Sequence, residues 1–183
     1  MKRLAFVALL ASSIPPLTGA HGAVLSVGGP LSYRCYQSAV AADARSLAID
    51  ACDRAIEEEA LATPDLAATY VNRGILLMTG SRYAAADTDF DTALRLSPNL
   101  SDGWLNKGFL RLRQGNGRDA LPLIQKGIDS GAHDEAQAIF ARGVAHEQMG
   151  DYGPAYADLQ RARELAPRWS LPRDYQASYK VRR

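Results

Sequence analysis

Aromatic side chains make up only 8% of this 183-residue sequence, and sulfur is scarce, with two cysteines and three methionines. No charge dominates: 21 Lys and Arg stand against 20 Asp and Glu, a formal net charge of +1. Binding nucleic acid through phosphate neutralisation needs clustered cations, so that class is excluded. An apolar stretch of roughly 20 residues, enough to span a bilayer, is also missing, which excludes a polytopic membrane protein. There is no Cys-x-x-Cys, and His21, His133 and His146 have no partner at metal-ligand spacing. With no acid–base or nucleophile set in view, the sequence reads as a non-enzyme that takes no cofactor and no metal. What is abundant is alanine, in a chain that is 47% hydrophobic and 22% charged. That mixture favours closely packed helices over sheets or disorder.

Residues 1–20 have the three parts of a secretory signal: Lys2 and Arg3, an apolar stretch at 4–10, and a stretch ending in small residues at Thr18 and Ala20. The expectation is export with cleavage after Ala20, to a bacterial periplasm or outside the cell; an uncleaved membrane-anchoring helix is the alternative. Removing two cations and no anions turns the charge of +1 into −1. Segment 21–30, rich in glycine, is expected to be flexible. In an exported chain an even cysteine count points to a disulfide, and the spacing of Cys35 and Cys52 suits neighbouring antiparallel helices. Two buried free thiols are the competing reading.

A repeat governs everything after residue 66. Gly74, Gly108 and Gly143 each follow a basic residue, at intervals of 34 and 35. Four residues before them stand Tyr70, Trp104 and Ile139; twelve after stand Ala86, Ala120 and Ala155; sixteen after stand Phe90, Ile124 and Leu159. Pro98 and Pro167 close the first and third units, and Gly80, Gly115 and Gly150 stand where one helix must turn into the next. The motif Gly115-Asn-Gly117-Arg-Asp-Ala120 matches a loose dinucleotide loop, but it falls at such a turn with no strand before it.

In these positions the sequence resembles the tetratricopeptide repeat, over residues 67–100, 101–134 and 136–169. The resemblance implies an all-α, right-handed α-solenoid of three helical hairpins. Residues 31–66 read as a preceding helical hairpin, a degenerate further repeat. Residues 170–183 read as a capping helix bearing Leu171, Tyr175 and Tyr179, then a basic tail at Lys180, Arg182 and Arg183. One unit cannot bury its apolar face alone, so stacking supplies the core.

Arg73 and Asp89 stand at the same spacing as Arg142 and Asp158, a register that sets the two helices of a unit opposite each other and predicts structural ion pairs. Lys107 meets Leu123 in that register and is expected to lack a partner. Glu57, Glu58 and Glu59 read as a solvated helix end. The resemblance also implies a concave groove lined by Val71, Asn72, Ile75 and Met78 in the first unit. The second contributes Leu105, Asn106, Phe109, Leu112 and Arg113, and the third Phe140, Ala141, Val144, Glu147 and Gln148. Asn72 and Asn106 match the position whose amide grips a peptide backbone, donating and accepting together. The cationic clamp of chaperone-binding relatives is not reproduced: Val71 and Ile75 replace its first residues, and Gln137 and Ala141 its later cations. The expected partner is therefore a protein or peptide of low charge, and the expected role a periplasmic scaffold or adaptor. An accessory subunit of a peptidoglycan or polysaccharide enzyme is the alternative role. The groove is either open to a partner or covered by the chain's own N-terminal hairpin or C-terminal tail.

Overall fold

The computed structural model describes residues 22–26 and 28–177. The expected signal at 1–20, His21, Tyr179 and the basic tail at Lys180, Arg182 and Arg183 lie outside the described residues. Among the described residues there are nine helices and no strand: α1 (Pro30–Val40), α2 (Ser46–Glu58), α3 (Thr63–Thr79), α4 (Tyr83–Leu96), α5 (Ser101–Arg113), α6 (Gly117–Asp129), α7 (Glu135–Gln148), α8 (Tyr152–Leu165) and α9 (Leu171–Ala177).

Local chemistry accounts for the helix ends. Pro30 and Pro64 sit in the first turns of α1 and α3, where a missing N–H costs no helical bond. Asn116 and Asp134 cap α6 and α7, their side chains accepting from the Asp119 N–H at 3.2 Å and the Gln137 N–H at 3.0 Å. Helix α1 is capped from outside: the Glu59 carboxylate accepts from the backbone N–H groups of Leu31 at 2.7 Å and Ser32 at 3.0 Å. Glu59 is thus not part of a solvated helix end; its charge lies on the partial positive end of α1. Gly115 and Gly150 take φ of +74° and +83°, the left-handed turn that ends a helix at little cost to glycine. In the first unit Gly80 keeps φ at −78°, and Ser81, at +59°, makes the turn instead. Pro122 lies within α6 and removes the N–H that would bond the Arg118 carbonyl.

The helices pair in chain order. Contact is most extensive between α3 and α4, α5 and α6, and α7 and α8, with α1 against α2 at one end and α9 against α8 at the other. Helices α3, α5 and α7 also touch in succession, so the first helix of each unit lines one common face. Close approach within a unit depends on the absence of a side chain: a Cβ on Gly74 would lie 2.4 Å from the Phe90 ring. Phe90, Ile124 and Leu159, at the same position of three successive units, have no solvent exposure. They belong to two clusters that also take in Leu110 and Phe140, and a third cluster at the first hairpin contains Leu76.

Both ends are closed. Cys35 of α1 and Cys52 of α2 form a disulfide with Cα atoms 4.8 Å apart and no exposure at either residue. At the other end Trp169 and Tyr175 set their rings edge-on to Phe140, with centroids 5.1 and 5.5 Å away. No described helix is long and apolar enough to cross a membrane.

Candidate functional site

The concave face is lined by α3, α5 and α7, and in this chain it is occupied. Residues 22–26, expected to be flexible, lie along it without regular secondary structure. Asn72, fully buried on α3, accepts from the Val24 N–H at 2.8 Å and donates to the Val24 carbonyl at 2.7 Å. One turn of the stack further on, Asn106 of α5 donates to the Gly22 carbonyl at 3.0 Å, while also bonding the Asp102 carbonyl at 2.8 Å. The two amides thus hold alternate residues of one segment, Gly22 and Val24. Ser26, fully buried, places its hydroxyl 3.5 Å from both Thr69 Oγ1 and Asp65 Oδ1. Ala23 packs on the cluster containing both cysteines, and Val24 on the cluster containing Val71 and Met78. Leu25 points away and is 57% exposed.

The groove of the first two units is therefore covered, and by a segment the sequence did not suggest: residues 22–26, ahead of the N-terminal hairpin, lie on Asn72 and Asn106. The remaining lining residues are distributed accordingly. Val71, Met78, Leu105, Phe109, Leu112 and Val144 are all buried, and Ile75 is half-buried against the cluster that Ala23 joins. Ala141 is buried too, and Phe140 lies beneath Trp169 and Tyr175, so the third unit's apolar positions belong to the core. Arg113, Glu147 and Gln148 are half-buried at the ends of α5 and α7. Gln148 donates to the Leu112 carbonyl at 3.0 Å, while Glu147 Oε2 and Gln148 Oε1 are buried without a hydrogen-bond partner.

The charged side chains on these helices form ion pairs. Arg73 makes a two-pronged contact with Asp89, at 2.8 and 2.7 Å, and reaches Asp53 of α2 at 2.7 Å. The bonds from Asp89 hold its guanidinium even more firmly protonated than usual. Arg142 repeats the motif with Asp158, at 2.9 and 2.8 Å, and reaches back to Gln125 of α6 at 2.9 Å. Lys107 is not unpaired as expected. It bonds Asp91 and lies 3.6 Å from Asp87, both on α4 of the unit before it. Arg111 joins the same group through Asp87 at 2.8 Å. The sequence carries a signal for this, since Asp53 precedes Arg73 at the same spacing as Asp87 precedes Lys107. A pairing rule confined to one unit does not find it.

Beside Ala23 the groove opens into a cavity of about 540 Å³, lined also by Tyr36, His133, Asp134, Glu135 and Leu165. Sequence does not bring these together, because they come from the first hairpin and from the third unit with the turn that leads into it. Burial pushes the nearby Asp102 carboxyl above its ordinary value, opposed by the charge of His133. Among the described residues no group of three His, Cys, Asp or Glu side chains is placed to hold a metal ion.

Paired helices stacked in register, with the first helix of each pair on a common concave face, define the chain as an all-α solenoid of helical hairpins. The family model for the tetratricopeptide repeat matches residues 136–168, the third unit. Over that unit the chain is similar to the tetratricopeptide repeat. The Arabidopsis OM64 TPR domain has the same fold at 18% identity and a TM-score of 0.60, covering 65% of this chain and 98% of that one. MamA 41-end from Desulfovibrio magneticus RS-1 has it at 21% identity and a TM-score of 0.63, covering 81% and 83%. The first TPR domain of human RPAP3 has it at 16% identity and a TM-score of 0.60, covering 63% and 91%. No curated protein matches the chain in sequence.

Proposed function

We propose that this chain is an exported adaptor that holds an extended peptide segment of a partner protein in the concave groove of its first two units. The observation that carries the reading is the pair of amides on Asn72 and Asn106, which already grip alternate residues of one backbone segment. An amide that donates and accepts at one residue recognises main chain whatever the side chain, which suits a scaffold rather than a catalyst. The surrounding lining of Val71, Ile75, Met78, Leu105 and Phe109 is apolar, so the bound segment is of low charge. Export is supported by the fully buried disulfide, a bond that persists in oxidising compartments, together with the signal-like residues 1–20.

A photo-crosslinking side chain introduced at Ile75 in the living cell tests the proposal. The expected result is a crosslink to a second protein in the envelope or secreted fraction, lost when Asn72 and Asn106 are both replaced by Ala. No crosslink in any fraction, or one indifferent to both amides, would sink it.

A further inference from the structure

Residues 22–26 show what the groove selects. Four features of the segment match four features of the face. Gly22 lies flat on the Asn106 amide: a Cβ there would come within 2.7 Å of Nδ2 and 2.8 Å of Oδ1. Ala23 packs its small side chain on the cluster that α1, α2 and α3 share, beside the cavity. Val24 presents both its N–H and its carbonyl to Asn72 while its side chain packs on the first unit's core. Ser26 is buried beside Thr69 and Asp65. The intervening Leu25 is 57% exposed and unselected.

The same contacts show that the segment is held lightly. Three hydrogen bonds tie it to the two amides, Ser26 adds only contacts of 3.5 Å, and one of its two larger apolar side chains faces solvent. The cavity beside Ala23 leaves that edge of the segment open to an incoming chain. Attachment to α1, which begins at Pro30, keeps the segment near the groove. A short tether of this kind supplies an effective concentration on the order of millimolar.

We propose that residues 22–26 are a built-in competitive occupant of the groove. The partner is an extended, uncharged segment of the same pattern, glycine, small residue, β-branched residue, any residue, serine, which displaces them. This rests on the groove being the binding site, and it adds what the groove prefers and what holds it in reserve. Apparent affinity for a partner is reduced by the fraction of molecules whose groove is free.

The experiment uses the full exported chain and a fluorescent peptide with the sequence of residues 21–29. Two variants evict the segment without touching a helix: Gly22→Val, through the clash with Asn106, and Val24→Pro, by removing the N–H that Asn72 accepts. Expected are slow hydrogen exchange at the Val24 amide of the wild type, and peptide binding by both variants at least tenfold tighter than by wild type. Adding Asn72→Ala to either variant should abolish binding, and a peptide with valine in place of the first glycine should bind at least tenfold more weakly. Equal affinity of wild type and both variants would overturn the competitor while leaving the groove as a peptide site. Absence of binding to both evicted variants, with their helix content intact, would overturn the groove reading and the competitor with it.

Discussion

Arg73 and Asp89 form an ion pair whose two halves are unequally buried, and that inequality sets the outcome of breaking it. The Asp89 side chain is 5% exposed, whereas that of Arg73 is 22% exposed and has a second carboxylate in reserve, Asp53 at 2.7 Å. Replacing Arg73 by Met keeps most of the side chain's volume but strands a buried carboxylate with no cation. The cost of orphaning a buried charge is about 3–5 kcal/mol. Replacing Asp89 by Ala leaves a guanidinium that still has Asp53 and water, so the loss is nearer that of charged hydrogen bonds, about 2 kcal/mol. Removing both as Arg73→Met with Asp89→Leu leaves no orphan, and the double variant should come within about 1 kcal/mol of wild type. Urea denaturation of the oxidised protein at neutral pH, followed by circular dichroism, gives the three values. With a slope of about 2 kcal/mol/M, Arg73→Met should lower the midpoint by about 2 M and Asp89→Ala by about 1 M. The reasoning is refuted if Asp89→Ala costs as much as Arg73→Met, or if the double variant is no better than Arg73→Met alone.

Three further perturbations have defined outcomes. Reducing the Cys35–Cys52 bridge releases a loop of 17 residues and should cost about 3 kcal/mol, read as a lower denaturation midpoint in reductant with the rest of the stack still helical. Pro122→Ala restores an N–H to the middle of α6 at an exposed position, and should raise stability by about 1–3 kcal/mol in the same assay. Burial raises the Asp102 carboxyl, so the folded state holds its proton more tightly than the unfolded chain does. That contribution is complete below the carboxyl's ordinary value near 3.8 and fades as pH rises through the raised folded value. Asp102→Asn should therefore flatten the fall in stability above pH 4, and an unchanged pH profile would contradict the assignment.

The periodic parts of this fold were the legible parts. A helix that must face the same neighbours in every unit repeats its small and large side chains at fixed offsets, so Gly74, Ala86 and Phe90 announced a unit together with their counterparts downstream. The pairing of Arg73 with Asp89 followed from one helix lying opposite the next. The segment at 22–26 carries no such period. It is too short for alternation to register, and its glycine and serine read as linker, because the bonds that hold it come from Asn72 and Asn106, 48 and 84 residues away. Contacts between units were hidden for a related reason. The partners of Lys107 depend on how successive hairpins are rotated, which a single unit's register does not contain. At Gly80 and Ser81 either residue satisfies the turn, and sequence favoured the one that the chain did not use.

The two ends of the stack are closed by different means. Covalent sulfur joins α1 to α2 at one end; at the other, the seven residues of α9 rest on α8 and Phe140 without a covalent link, through Leu171, Pro172 and Tyr175. In an array whose units are stabilised only by their neighbours, fraying starts at the weaker terminus and moves inward one hairpin at a time. Here that gives unravelling a direction, from α9 towards α1. The first two units, which carry the groove, are then the last to open, and a molecule that has lost its C-terminal hairpin still presents Asn72 and Asn106 on folded helices.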